Sequence, residues 1–94
     1  MEIRYNLDSE TGLPHIYDHG VWEHEVEEVL GRKGEDYPAR GDSRLKMGQT
    51  NAGRYLQVIY VPDEVGDGLF VVTAFEMTEK RKKAFRRRQR RRKR

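Results

Sequence analysis

The sequence contains no cysteine, only three prolines and few apolar residues. Without cysteine, neither a disulfide framework nor a thiolate zinc site can form. No stretch approaches the about 20 consecutive apolar residues of a membrane-spanning helix, and the first residues lack the apolar run of a secretory signal. Of the 94 residues, 35% are hydrophobic and 37% are charged, which predicts a single domain with a small core. We expect a soluble, cytoplasmic protein that does not bind membranes.

Charge is distributed unevenly along the chain. The formal net charge is only +3, but 12 of the 19 lysines and arginines lie in residues 80–94, which contain no acidic residue. Residues 1–79 contain the other 7 basic residues and all 16 acidic ones, which gives them a formal charge of −9. A block of like charges indicates the kind of partner rather than the fold. We therefore expect residues 80–94 to bind polyanions.

The clearest secondary-structure pattern lies in residues 43–61. Apolar and basic side chains alternate along residues 44–47, as in a strand with one apolar face. Asn51-Ala52-Gly53 is typical of a tight turn, since Asn and Gly tolerate a positive φ. Residues 54–61 are rich in β-branched and aromatic side chains, which favour a central strand. The pattern predicts a β-hairpin.

Further elements are predicted on either side of this hairpin. In chain order they are a strand at 2–7, a short helix with His15 and His19 that Gly20 ends, a helix at 22–30, an edge strand at 35–40, the hairpin, a strand at 69–75 buried on both sides, and a helix after the N-cap Thr78. The apolar side of the second helix would include Trp22, and its glutamates 23, 25, 27 and 28 would face water. This order predicts an α+β fold, with two N-terminal helices and a C-terminal helix packed on a small antiparallel sheet.

A change in composition divides the chain near residue 86. Residues 1–85 form the predicted domain, and residues 86–94 form a poly-basic tail. Like charges at positions i and i+4 of a helix repel each other, so we expect the tail to fray or to be disordered when free. Two alternatives are a purely solubilising end and a strap lying on the acidic helix at residues 23–28.

Several short motifs occur in an order that resembles the BrnT-type toxins of the RelE/ParE superfamily. They are His19-Gly20-Val21 before an acidic helix that ends in Glu28-Val29-Leu30, then Asp42-Ser43-Arg44, Gly48-Gln49-Thr50 and Gly53-Arg54, and finally Val71-Val72-Thr73-Ala74 with Met77-Thr78 and a basic helix. The resemblance covers residues 3–86 and depends on order and spacing rather than on any single motif. It implies a RelE-like fold, toxicity through RNA cleavage, and a cognate antitoxin that also represses the operon.

The resemblance also implies site residues. Arg44 and Arg54 fall on basic strand positions of the family, and His19 falls on its His-Gly pair. Thr73 takes the place of the Ser or Thr that opens the last-strand motif. The family interpretation therefore places catalysis on a sheet face near Arg44, Arg54 and Thr73, which the antitoxin would cover.

Three positions depart from the family pattern. Phe75 stands where the family usually has an arginine, Arg81 where it often has a glutamate, and Phe85 where it usually has a tyrosine. The arginine replaced by Phe75 would contribute to phosphate binding. These departures favour the alternative that the protein is a catalytically inactive BrnT-fold module that binds nucleic acid through its tail.

RNA cleavage without a metal requires a base for the 2′-hydroxyl, an acid for the leaving 5′-oxygen, and cations for the phosphate. Arg44, Lys46 and Arg54 are candidate cations. His15 or His19 is a candidate acid or base, because an unperturbed histidine titrates near pH 6.5. The two histidines have the i, i+4 spacing of a metal pair, but no HExxH motif accompanies them. We expect no bound metal and no cofactor.

Some of these residues also have a structural interpretation. Arg44 would then be a solvated strand residue paired with Asp42 or Glu35. His19 would be a half-buried side chain packed against Trp22. The sequence leaves both interpretations open.

The basic residues predict contact with phosphates rather than with base edges, because few aromatic residues lie among them. The residues predicted to bind nucleic acid are Lys46, Arg81, Lys82, Arg86, Arg87, Arg88, Arg90 and Arg91. The expected partners are RNA (mRNA or rRNA) and a cognate antitoxin. A third hypothesis is self-association between the acidic and basic poles.

Overall fold

The computed structural model describes residues 1–92. The elements are β1 (Ile3–Tyr5), a 3₁₀ helix (His15–His19), α1 (Glu23–Leu30), β2 (Glu35–Pro38), β3 (Arg44–Gln49), β4 (Tyr55–Pro62), β5 (Leu69–Glu76) and α2 (Glu79–Arg92). The α+β class expected from the sequence is confirmed. Within residues 1–92, none of the helices is both long enough and apolar enough to cross a membrane.

The predicted hairpin is present as β3 and β4. The two strands pair antiparallel from Arg44 opposite Tyr60 to Gln49 opposite Tyr55. At the turn, the Arg54 amide donates to Thr50 Oγ1 at 3.0 Å, and Gly53 has a φ of 95°, where a side chain would be strained. Local turn chemistry therefore fixes the register of the hairpin.

The sheet is mixed, so the prediction of an antiparallel sheet is wrong at one edge. The strand order is β1-β5-β4-β3-β2, and β1 pairs parallel with β5, with Ile3 opposite Leu69. Residues 6–68 separate these two strands, so no tight turn dictates their relative direction. A three-residue strand also carries no pattern that distinguishes a parallel partner from an antiparallel one.

One face of the sheet, which we call the closed face, is covered by two helical segments. The 3₁₀ helix and α1 pack on it, and Val29 lies close against Gly48 of β3. Its buried core residues are Ile16, Val21, Val26, Val29, Leu56, Val58, Tyr60, Leu69, Val71 and Ala74. The closed face therefore contains the main core.

The opposite face, which we call the open face, is only partly covered. Phe85 of α2 is fully buried there and packs with Met47, Met77 and Tyr55. Beyond α2, the side chains of Ile59, Thr73 and Phe75 are only half-buried. The expectation that β5 is buried on both sides is therefore wrong, because α2 does not reach across this strand.

A β-bulge in β5 changes which residues reach the open face. Ile59 pairs with Thr73, but the next residue, Tyr60, pairs with Val71, so Val72 is an extra residue in the strand. Without the bulge, Val71 and Thr73 would point to the same face. With it, Val71 lies in the core of the closed face and Thr73 points to the open face.

The first predicted helix is a 3₁₀ segment rather than an α-helix. Its five residues end at Gly20, which has a φ of 68° and makes the expected helix stop. The side chain of Trp22, which precedes α1, is 53% exposed, and its ring lies 5.0 Å from that of Tyr17. Trp22 therefore neither forms the apolar side of α1 nor packs against His19, as the sequence had suggested.

The prediction that every glutamate of α1 faces water is wrong for Glu25. Only 8% of this residue is exposed. Its carboxylate accepts the Trp22 amide at 3.0 Å and a hydrogen bond from Arg54 at 2.8 Å. Arg54 lies far from α1 in the sequence, so the periodicity of the helix could not indicate this burial.

The predicted boundary at residue 86 does not interrupt α2. The helix begins at the predicted N-cap, where the Arg81 amide donates to Thr78 Oγ1 at 3.2 Å, and continues to Arg92. The expected fraying is therefore wrong for residues 86–92, whereas positions 93–94 lie outside the described residues.

A buried carboxylate explains why α2 continues beyond the predicted boundary. The side chain of Glu35 is fully buried and receives two hydrogen bonds at 2.8 Å from Arg88 and one at 2.6 Å from the Tyr37 hydroxyl. Arg92 lies 3.5 Å from the same carboxylate. The helix is therefore attached to the edge of the sheet, away from α1.

Candidate functional site

A shallow pocket at the edge of the sheet, between the 3₁₀ helix and the second half of β5, brings together two of the predicted catalytic residues. Its volume is about 490 Å³. The lining residues, which we call the histidine pocket, are Asn6, His15, His19, Val72, Thr73 and Phe75. The pocket lies where the 3₁₀ helix meets β5.

The two histidines of the pocket are in contact. Their ring centroids are 5.3 Å apart and the rings are nearly perpendicular, at 84°. His19 also packs 5.9 Å from the ring of Phe75, and Nδ1 of His15 lies 3.5 Å from the Asp18 carboxylate. His15 is half-buried and His19 is exposed, so a ligand in the pocket can reach both rings.

Thr73 contributes a polar group without a partner. Its Oγ1 atom is buried and makes no hydrogen bond with any residue among 1–92. Buried polar atoms are nearly always hydrogen-bonded, and an exception calls for a specific explanation. Thr73 lines the histidine pocket, but its Oγ1 has almost no solvent-accessible surface in this conformation, so a ligand reaches it only after the side chain rotates.

Arg44 lies elsewhere. Its Nε donates to Asp36 at 2.7 Å, and the other oxygen of Asp36 accepts the hydroxyl of Tyr60. The hydrogen bond to Asp36 raises the pKa of Arg44, and burial, reinforced by Asp36, raises the pKa of Tyr60 to about 12. Because Arg44 pairs opposite Tyr60, both point to the closed face. The carboxylate partner is neither Asp42 nor Glu35, as the sequence had suggested.

Arg54 joins three elements at the other end of the hairpin. Its Nη1 donates to the Gly20 carbonyl and to Glu25, both at 2.8 Å, and its Nε donates to Glu76 at 2.7 Å. Burial lowers the pKa of Arg54, but the ion pairs with Glu76 and Glu25 raise it overall. Arg54 is thus a structural clamp beside the histidine pocket, and two carboxylates neutralise its charge.

The structure therefore does not place Arg44, Arg54 and Thr73 on one sheet face. His19 and Thr73 share the histidine pocket, and the two arginines belong to the closed side. Arg44 lies at the start of β3 and Arg54 lies after the turn. The length of β3, about 17 Å, therefore separates the two arginines along the hairpin. The sequence had no signal for the bulge that re-aims Thr73 or for the contribution of Asn6.

The basic residues predicted to bind nucleic acid divide into two sets. The exposed set consists of Arg86, Arg87, Arg90 and Arg91. Together with Lys83, which was not predicted, these residues form what we call the basic stripe, and none of the five has an ion pair among residues 1–92. Arg86 also lies 6.0 Å from the ring centre of Tyr55. Of the other predicted residues, Arg88 binds Glu35, Arg81 contacts Gln57, and Lys46 donates to the Arg32 carbonyl at 2.7 Å. Lys82 lies 5.2 Å from the ring centre of Tyr55.

No family model, no curated protein and no solved structure matches the chain. The fold is a mixed five-stranded sheet with helices on both faces. Among residues 1–92, no group of three or more His, Asp or Glu side chains is arranged to hold a metal ion. Among residues 1–92, the histidine pocket and the basic stripe both present polar or charged groups that a ligand could contact.

Proposed function

We propose that the protein is a BrnT-like toxin, a metal-independent endoribonuclease whose reacting residues are His15, His19 and Thr73. The observation that carries this proposal is the contact of two imidazoles beside a hydroxyl with no partner. The resemblance of the sequence motifs to BrnT-type toxins supplies the reaction class. As in other toxin–antitoxin pairs, a cognate antitoxin would cover the open face.

The pocket contains an acid–base pair, and in this proposal the Thr73 hydroxyl takes the place of a cation at the phosphate. One imidazole removes the proton of a ribose 2′-hydroxyl, and the resulting oxygen attacks the adjacent phosphorus. The second imidazole protonates the 5′-oxygen as its bond to phosphorus breaks, which leaves a 2′,3′-cyclic phosphate and a free 5′-hydroxyl. The Thr73 hydroxyl donates a hydrogen bond to a phosphate oxygen on which negative charge develops.

The basic stripe supplies affinity for the RNA backbone. Its five cations have no carboxylate partner among residues 1–92, so phosphates can neutralise them. Arg44 and Arg54 are engaged with carboxylates, and in this proposal they stabilise the fold instead of contacting the scissile phosphate.

The test is cleavage of end-labelled RNA by wild type, His19→Ala, His15→Ala and Arg44→Ala proteins purified in parallel. We expect each histidine variant to lose about 100- to 10,000-fold in rate, the usual contribution of a general acid or base. Arg44→Ala should cleave as wild type does. The two histidine variants keep the basic helix but should be inactive, so they control for a nuclease carried through purification. RNA with a 2′-deoxyribose at the cleaved position should remain intact. Equal cleavage by all four proteins would refute the proposal.

A second candidate function is nucleic-acid binding without catalysis, and the exposed basic stripe favours it. In the same assay it predicts RNA that is bound but not cut. Removing α2 would also remove Phe85 from the core, so the stripe is better tested by replacing Arg86, Arg87, Arg90 and Arg91 with serine. Loss of RNA binding in that variant, without cleavage by wild type, would establish this alternative.

A further inference from the structure

A larger cavity, of about 720 Å³, opens on the open face between α2 and the β2–β3 edge. We call it the α2 groove. Tyr37, Leu45 and Met47 form its floor, and Lys80, Arg81 and Ala84 form its wall. Neither the histidine pocket nor the basic stripe includes these residues. The groove is therefore a separate surface whose chemistry has to be explained.

The floor of the groove is apolar and aromatic. Met47 is 5% exposed and Leu45 is half-buried, but 40% of Tyr37 is exposed. The Tyr37 hydroxyl donates a hydrogen bond to Glu35 at 2.6 Å. This bond fixes the position of the ring and leaves the face of the ring available for stacking. A fixed, exposed aromatic ring in a concave site is suited to stacking against a flat ligand.

The wall of the groove keeps its positive charge. Arg81 contacts only the neutral side chain of Gln57, and Lys80 has no ion pair among residues 1–92. Arg88, at the other end, is neutralised by Glu35. The amino end of α2 adds a partial positive charge at the same place. An apolar floor beside free cations fits a flat base that carries a phosphate.

The groove and the histidine pocket lie near each other along one row of the sheet. Leu45, Ile59 and Thr73 are register partners on three adjacent strands, and all three point to the open face. Adjacent strands lie about 4.8 Å apart, so the groove floor and Thr73 are separated by about 10 Å. Half-buried Ile59 lies between them, so an extended single strand can contact both sites.

We propose that the α2 groove binds an unpaired nucleobase of an RNA strand. The scissile phosphate of the same strand, at a neighbouring nucleotide, enters the histidine pocket. This inference rests on the proposed function for the identity of its ligand. It adds that the substrate is single-stranded at this position, because a base inside a duplex is stacked and cannot reach Tyr37. Lys80 and Arg81 contact the phosphate attached to that nucleotide.

The test is binding of a labelled, unstructured 2′-O-methyl RNA oligonucleotide, which has no free 2′-hydroxyl and cannot be cleaved. Tyr37→Phe and Tyr37→Ala both lose the hydrogen bond to Glu35, but only Tyr37→Ala loses the ring. We expect Tyr37→Phe to bind within about two-fold of wild type and Tyr37→Ala to bind about ten-fold more weakly, as for loss of one stacked base. The salt dependence of binding should be unchanged in Tyr37→Ala, because no phosphate contact is removed.

A second pair of variants tests the groove without altering its floor. Ala84→Glu places a carboxylate in the wall, and Ser9→Glu makes the same charge change in an exposed loop. Only Ala84→Glu should weaken binding of the single strand. Thermal unfolding of every variant shows whether the fold is retained.

Equal affinities of Tyr37→Phe and Tyr37→Ala would overturn the inference. So would an equal loss of affinity for a duplex of the same length, since that would indicate a phosphate surface. Neither result depends on cleavage. If binding does not depend on Tyr37 but the enzyme cleaves RNA, the proposed function stands without the groove. If binding depends on Tyr37 but the protein does not cleave RNA, the result supports the binding alternative.

Discussion

The two faces of the sheet are covered in different ways. On the closed face, the 3₁₀ helix and α1 bury ten core residues. On the open face, α2 is attached at two places, by Phe85 in a small apolar cluster and by Arg88 on Glu35. The remainder, from Tyr37 across Ile59 to Thr73, is accessible. The closed face stabilises the fold, and the open face leaves room for a ligand.

The charged residues follow the same division. On the closed side, Arg54 and Arg44 are each held by carboxylates. On the open side, Lys80, Arg81 and the basic stripe have no carboxylate partner among residues 1–92. Arg88 is the exception on the open side, because Glu35 binds it, so an arginine is available for a ligand only where no carboxylate lies within reach. The following predictions test this division, from the largest expected effect to the smallest.

Phe85→Ala should have the largest effect. Its side chain is completely buried, and truncating a buried phenylalanine costs about 3–5 kcal/mol of unfolding free energy. Because Phe85 is the main apolar contact of α2, the helix should become loose while the closed face is kept. Hydrogen exchange should show faster exchange in α2 than in β4. Equal loss of protection in α2 and β4 would show that the two faces of the sheet unfold together rather than independently.

Arg54→Ala should cost about 2–4 kcal/mol, because it leaves the largely buried Glu25 without its cation. Arg44 pairs with Asp36 at a more exposed position, so Arg44→Ala should cost at most about 1 kcal/mol. Urea unfolding measures both values. Arg54→Lys keeps the charge but not the forked geometry, and it should lie between wild type and alanine. Comparable costs for Arg44 and Arg54 would contradict the structural role assigned to the Arg54 clamp.

Glu35→Gln should cost about 1–3 kcal/mol, since hydrogen bonds to charged groups contribute about that much. The hydrogen bond from Arg88 lowers the pKa of Glu35 below its ordinary 4.5. The ionised form therefore stabilises the fold above that value, and the stabilisation is lost as the pH falls below it. The difference in stability between wild type and Glu35→Gln should accordingly shrink below about pH 4.5. A difference that is independent of pH would contradict this assignment.

Replacing Arg86 and Arg90 of the basic stripe with alanine should have the smallest effect on stability, within about 0.5 kcal/mol. Binding should change instead. Each lost phosphate contact reduces the log–log salt slope on single strands by about 0.7, so the double variant should lose about 1.4. Binding measured between 50 mM and 200 mM salt tests this. An unchanged slope would show that the basic stripe does not contact the phosphates.

Much of the fold could be predicted because its signals are local. The hairpin follows from alternation and an Asn-Ala-Gly turn, and the start of α2 follows from Thr78. Features that depend on distant residues could not be predicted. The parallel pairing of β1 with β5, the burial of Glu25 by Arg54, and the ordering of residues 86–92 by Glu35 each join segments far apart in sequence.

The candidate site was only partly predictable for the same reason. The spacing of His15 and His19 placed them on one short helix, and the family resemblance drew attention to Thr73. The bulge at Val72 determines which face Thr73 reaches, and no local pattern marks it. Strand alternation would have placed Thr73 on the same face as Val71, in the core of the closed face.

Glu35 has one further consequence, for how α2 meets a polyanion. Its single carboxylate is an internal counterion beside Arg88 and Arg92, so these two arginines together carry one net positive charge instead of two. Nucleic acid that docks on the outward side of α2 gains counterion-release entropy from the basic stripe and leaves the Glu35 pairs intact. If α2 binds a polyanion as proposed, it can do so without leaving the sheet, and its effective valence is smaller than its number of basic residues.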